Sequence, residues 1–241
     1  MFRLVVLIVL VLNFSSVFST ELQTRALLIA QTEALLSSQI TGRILEVNVD
    51  LGQPFKKNDV LIEFDCEVQK ATRDRVRATL KAASVTVKSH KKLRELGSIS
   101  QLELAQAEAE ELKARADLRE ITAQIKMCTI KAPFSGRVVS RKIDAYETVT
   151  QGEELIEIID DSSLAVDLLV PSNWTKWLKQ GLEFDISVAE TGDKVKATVQ
   201  EIGARIDPVS QTIAVRGKLL KQHQAGLLAG MSGQAIFTLP E

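Results

Sequence analysis

The chain has 241 residues, 45% of them hydrophobic and 25% charged, the balance of an ordinary folded protein of one or two domains. Its 30 basic and 31 acidic residues leave a formal charge of −1. No polycationic surface follows, which argues against nucleic acid as a partner.

Arg3 precedes an apolar run from Leu4 to Leu12, and Val17-Phe18-Ser19 offers small or β-branched residues where a signal peptidase reads. Residues 1–19 are therefore expected to be a secretory signal peptide cleaved after Ser19. The run is short for a membrane span of about 20 residues. The chain is expected in the periplasm, exported and soluble, with an uncleaved N-terminal tether to the inner membrane as the other reading. No cysteine follows the run, so no lipoprotein attachment site is expected. Residues 20–36 are apolar and ambiguous between helix and strand. They are read as one or two strands that join a β-barrel formed later in the chain.

Residues 37–65 and 129–163 are two copies of one unit. Gly42-Arg43-Ile44 opens the first and Gly136-Arg137-Val138 the second, 94 positions on. The same offset pairs Asp50 with Asp144, Phe55 with Val149, Asn58 with Gly152, and Leu61-Ile62-Glu63 with Leu155-Ile156-Glu157. Val47, Val49 and Leu51 alternate with polar neighbours as in a half-buried strand. Gly42, Gly52, Gly136 and Gly152 mark its turns; the one clear departure is Tyr146, where the first copy has Gly52. A unit of about two dozen residues cannot bury its own apolar face, so the copies should pack on each other.

Residues 66–128 differ in composition. From Glu67 to Lys126 there is no proline and one glycine, Gly97, amid Ala, Leu, Glu, Lys and Arg. Apolar residues recur at three- and four-residue steps, as at Leu118, Ile121 and Ile125. Gly97-Ser98 divides the insert into two nearly equal arms. Gly97 suits the position after the first helix, and Ser98 or Ser100 can cap the second. An antiparallel coiled-coil hairpin is expected, with packing overriding the weak helix formers Ser84-Val85-Thr86-Val87. Cys66 and Cys128 stand at its two ends. An even cysteine count in an exported protein reads as a disulfide, and strand ends brought together at the hairpin base would place the two within reach.

Residues 164–241 alternate as short strands: Leu164–Val170, Glu183–Val188, Lys194–Ile202, Thr212–Leu220 and Gln234–Leu239. A short helix from Pro171-Ser172, with Trp174, Trp177 and Leu178 on its apolar side, interrupts them. Turn signals about every ten residues suggest a small β-barrel. The fold class is thus mixed α and β, a split β-domain carrying a helical hairpin, plus a barrel.

No catalytic constellation appears. His90 and His223 are isolated, and there is no glycine-rich phosphate loop and no Gly-x-Ser-x-Gly elbow. Three methionines, one of them Met1, make a thioether metal site improbable. The carboxylates concentrate on the hairpin as surface charges. The basic cluster Lys88, His90, Lys91, Lys92 and Arg94 reads as a solvated helix face. Neither an enzyme, a metal centre nor a cofactor is expected.

The paired β-halves resemble lipoyl and biotinyl carrier domains, which present a modifiable lysine between the halves. Here Cys66-Glu67 occupies that junction, so the carrier reading fails on the residue it needs. What remains is a resemblance to the periplasmic adaptor, or membrane fusion protein, family of HlyD-like and RND efflux adaptors. It is carried by Gly42-Arg43-Ile44-Leu45-Glu46-Val47-Asn48-Val49, by Ile130-Lys131-Ala132-Pro133-Phe134-Ser135-Gly136-Arg137-Val138, by Val170-Pro171 and by Gly230-Met231-Ser232-Gly233-Gln234. The resemblance implies a lipoyl-like domain, hairpin and barrel, and an adaptor between an inner-membrane transporter and an outer-membrane channel in a ring of six copies. In pump-associated members the hairpin tip resembles Arg-x3-Leu-x6-Ser-x3-Leu and docks on the outer-membrane channel, which implies a channel-docking role for the tip here. This chain supplies Leu93, Ser100 and Leu104 around Gly97, but Ser89 stands in place of the arginine. The chain ends just past the barrel, which implies a compact member. An adaptor of an ABC-type or other secretion system, and a free-standing periplasmic scaffold or binding protein, remain open readings.

Overall fold

The structure, a computed structural model, describes residues 21–221 and 226–238; the expected signal peptide and His223 lie outside the described residues. In chain order the elements are β1 Glu21–Ala30, β2 Glu33–Ser37, β3 Gly42–Val47, β4 Pro54–Phe55, β5 Val60–Phe64, α1 Glu67–Glu95, α2 Gln101–Lys126, β6 Thr129–Lys131, β7 Gly136–Arg141, β8 Thr148–Val149, β9 Glu154–Ile159, β10 Leu164–Pro171, β11 Glu183–Val188, β12 Lys194–Ile206, β13 Thr212–Leu219 and β14 Ser232–Thr238. The chain forms two compact units. One is Ala30–Ser163; the other gathers residues 21–29 with the described residues from Leu164 on.

The first unit contains two four-stranded sheets, ordered β2-β9-β7-β4 and β6-β5-β3-β8. A shift of 94 positions, forward for β2 and β4 and backward for β7 and β9, turns the strands of the first sheet into those of the second. The sequence copies therefore do not form one sheet each; every sheet takes strands from both. Backbone bonds repeat the same symmetry. The Gly52 N–H donates to the Val138 carbonyl and the Tyr146 N–H to the Ile44 carbonyl, both at 2.9 Å. The Asn58 N–H donates to Ala132 and the Gly152 N–H to Ser38, both at 2.8 Å. Between the sheets lie Ile44, Leu61, Ile62 and Phe64 from one copy and Val138, Leu155, Ile156 and Ile158 from the other, all buried. Each contributes roughly 1.5–3 kcal/mol of hydrophobic stabilisation.

Residues 20–36 do not all join the barrel, contrary to the sequence reading. β1 does, but β2 pairs antiparallel with β9, Leu36 opposite Ile156. The reason is the repeat itself: β2 is the counterpart of β6, so the copy begins at about residue 33 rather than at residue 37.

The hairpin grows from the ends of β5 and β6. At 1.5 Å per residue its helices, of 29 and 26 residues, are each about 40 Å long. Val76, Leu80, Ala83, Val87 and His90 of α1 and Leu104, Ala107, Ala114, Leu118, Ile121 and Ile125 of α2 are withdrawn from solvent. With Glu111 falling between Ala107 and Ala114, their alternating steps of three and four define a coiled-coil seam. Helix persists through Ser84–Val87: Val87 is buried in the seam and the Thr86 hydroxyl donates to the Ala82 carbonyl.

The second unit is a closed six-stranded barrel, ordered β1-β10-β13-β12-β11-β14. Alternate residues point inward, as in β13, where Ile213, Val215 and Leu219 are buried. The expected short helix is a single 3-10 turn at Ser172–Lys176. Its Trp174 is buried edge-on against Phe237, with ring centroids 5.5 Å apart, and Phe184 stacks on Phe237 at 4.6 Å. β12 runs to Ile206, beyond the expected end at Ile202.

Candidate functional site at the hairpin apex

The turn between α1 and α2 is made by local backbone chemistry. Gly97 has φ 68°, and its N–H donates to the Arg94 carbonyl at 3.0 Å. The Ser98 N–H donates to the Leu93 carbonyl at 2.8 Å. These two bonds form a Schellman stop, which needs a residue tolerant of the left-handed region at position 97. Two residues later the next helix starts with a capping box. The Ser100 hydroxyl accepts from the Glu103 N–H at 3.2 Å, and the Glu103 carboxylate accepts from the Ser100 N–H at 2.7 Å. That bond to the Ser100 backbone, followed by the hydroxyl contact, lowers the Glu103 pKa from its ordinary value. The Arg94 guanidinium donates to the Ile99 carbonyl at 3.3 Å, tying the turn to the last turn of α1.

This geometry sorts the residues suggested by the tip motif. Leu93, Gly97 and Ser100 lie together at the apex, whereas Leu104 is half-buried and continues the seam. Ser100 has a structural task as the cap of α2. Leu93 is 37% exposed. The most exposed apolar side chains here are Leu96, at 77%, and Leu102, at 66%, which the motif does not contain. Helical phase could have exposed them: both fall outside the seam positions. Lys88, Lys92 and Arg94 make the same end basic, while Lys91 is paired with Glu108 at 3.1 Å.

At the other end of the hairpin Cys66 and Cys128 form a disulfide, with Cα atoms 6.2 Å apart and both residues buried. The Phe64 N–H donates to the Cys128 carbonyl at 2.9 Å, which brings the two strand ends together. Of the four glycines singled out by the repeat, Gly52 and Gly152 adopt positive φ. A side chain on Gly136 would strike the Ile159 backbone, while Gly42 has ordinary room for one. No group of three or more metal-ligating side chains comes together among the described residues. No described helix is long and apolar enough to cross a membrane.

Residues 32–160 match the family model for the CzcB-like barrel-sandwich hybrid domain. The chain belongs to this family. The match spans both sheets and the hairpin between them. Among curated relatives, an uncharacterized protein of Haemophilus influenzae is 28% identical over 208 residues, covering 86% of this chain and 54% of its own length. The nodulation protein NolF of Rhizobium meliloti is 26% identical over 211 residues, covering 81% and 57%. The chain thus spans about half the length of the curated relatives it matches. Among solved structures, a MacA-MexA chimera containing the Pseudomonas aeruginosa MexA α-hairpin superposes with TM-score 0.83 at 18% identity, covering 92% of this chain and 82% of that one. The membrane fusion protein Spr0693 of Streptococcus pneumoniae gives 0.76 at 14% identity, covering 91% and 100%. The fold is that of the membrane fusion adaptors, and the resemblance read from the motifs holds.

Proposed function

We propose that this chain is a non-enzymatic periplasmic adaptor of a tripartite efflux system. It bridges an inner-membrane transporter, with the RND type favoured by family resemblance, and an outer-membrane channel. Copies form a ring, six by family resemblance, that lines a conduit for exported small molecules. The observation that carries this reading is the apex: a hairpin about 40 Å long, tethered at its base by a disulfide, ends in uncovered Leu96 and Leu102 beside basic side chains. An apolar centre with a charged surround suits contact with another protein. Family membership and the adaptor fold support the same reading. Ser89, in place of the motif arginine, favours an ABC-type or other secretion partner as the second reading, because lysines nearby lack the planar guanidinium fork.

The test replaces Leu96 or Leu102 by glutamate. Both side chains are largely solvated, so the melting temperature should stay within about a degree, since surface changes usually lie within ±0.5 kcal/mol. Export, and cross-linking of a cysteine placed at position 98 to the channel, should be lost. Full export by both variants would reject the apex as the docking surface.

A further inference from the structure

Two grooves open on the outer wall of the barrel, and Arg25 lines both. The larger, about 620 Å³, crosses β1, β10, β13 and β12. Its floor follows a row in which side chains shrink from strand to strand. Leu169 of β10 lies opposite Ala214 of β13, and Gly203 of β12 sits so close that a Cβ would come 3.0 Å from the Ala214 carbonyl oxygen. β12 carries register shifts on both sides of this point, between Val199 and Glu201 and between Ile202 and Ile206. Such bulges bend a strand locally. Leu169, 63% exposed, and Leu27 leave an apolar surface open to solvent.

The charges around this floor are unequal in their satisfaction. Arg216 is held by Asp167 at 2.9 Å, and that hydrogen bond, with the charges of Asp167 and Glu201, raises its pKa further. Arg25 has no carboxylate within ion-pair distance among the described residues. It stands where the apolar groove meets the second one, of about 550 Å³, lined by the polar side chains of Gln23, Thr24, Ser187 and Gln234.

We propose that this groove binds a small amphipathic anion. Its carboxylate or sulfonate sits on the Arg25 guanidinium and its aliphatic or aromatic body lies over Leu27, Leu169 and Ala214. A guanidinium presents a planar pair of donors that matches such an anion. The volume falls in the range of small-molecule sites, roughly 300–1,000 Å³, and such sites combine an apolar lining with few polar anchors. The site lies wholly on the barrel and is independent of hairpin docking.

The probe is 8-anilinonaphthalene-1-sulfonate, titrated by fluorescence into the folded protein and displaced by decanoate or by uncharged decanol. Saturable binding is expected, with decanoate displacing the probe far better than decanol. Arg25→Gln should weaken decanoate roughly 10- to 100-fold, as loss of a charge-assisted hydrogen bond does. Ala214→Leu, which fills the exposed floor, should do the same with an unchanged melting temperature. Absence of saturable binding, equal displacement by decanol, or wild-type affinity in either variant would overturn the proposal.

Discussion

Tyr146 and Gly52 occupy the same place in the two copies, and the backbone treats them alike: φ is 72° at Tyr146 and 74° at Gly52. The tyrosine holds that conformation against the steric preference of an L side chain, which costs roughly 1–2 kcal/mol. Its ring is 70% exposed, so little packing offsets the strain. Tyr146→Gly should therefore stabilise the protein by about 0.5–1 kcal/mol, after allowing for glycine's greater freedom in the unfolded chain. Gly52→Ala, where a Cβ meets nothing within 4 Å, should lose about 1 kcal/mol from backbone strain alone. Urea denaturation of both variants checks the pair; opposite signs are the expected outcome. The cysteines act at the same scale. Cys66 and Cys128 are 62 positions apart, so the loop they close corresponds to about 4 kcal/mol in the chain-entropy account. Replacing both by alanine should lower the urea midpoint by up to that equivalent. A reductant should shift the wild type similarly and the double variant not at all.

At the scale of the helical element, the seam is built from unequal layers. Ala83, Ala107 and Ala114 allow close approach, while Leu80, Val87, Leu118 and Ile121 supply apolar bulk. His90 is the exception near the apex. Its Nδ1 is buried without a hydrogen-bond partner. An unsatisfied buried polar atom costs roughly 1–3 kcal/mol, and leucine at this position would extend the seam toward Leu104. His90→Leu should raise the melting temperature by a few degrees, equivalent to about 1 kcal/mol, measured by circular dichroism at 222 nm. A drop instead would mean that His90 makes a favourable contact in solution. Leu96 and Leu102 lie outside this seam, which is why changing them should alter docking and not the helix pair.

At the scale of the whole first unit, the two copies are interlocked. β4 of the first copy pairs with β7 of the second, and β8 of the second with β3 of the first. The main-chain link between the halves runs only through the hairpin, whose turn at Gly97-Ser98 is exposed, and the Cys66–Cys128 disulfide is a second covalent link. A chain cleaved at that turn should keep its halves together even after reduction, because separating them breaks both sheets and exposes the shared core. Size-exclusion chromatography of the cleaved, reduced protein should give one peak at the intact mass. Two peaks would mean that the disulfide, and not the interlock, joins the halves.

Sequence alone determined the parts with short-range or periodic causes. The 94-residue offset marked the repeat, three- and four-residue steps marked the helices, and Gly97 with Ser100 marked the turn, because a left-handed stop and a cap are written in neighbouring residues. The cysteine pairing was legible because both cysteines flank one insert. Tertiary structure decided what depends on partners distant in the chain. β2 is too short and unremarkable to declare its sheet; only pairing with β9 assigns it. That each sheet mixes both copies follows from how strand ends meet around a common core, which similarity between copies does not specify. Likewise the spacing of Leu93, Ser100 and Leu104 suggested a docking motif, but exposure is set by helical phase and capping. These turn Leu104 toward the seam, engage Ser100 with Glu103, and leave Leu96 and Leu102 facing solvent.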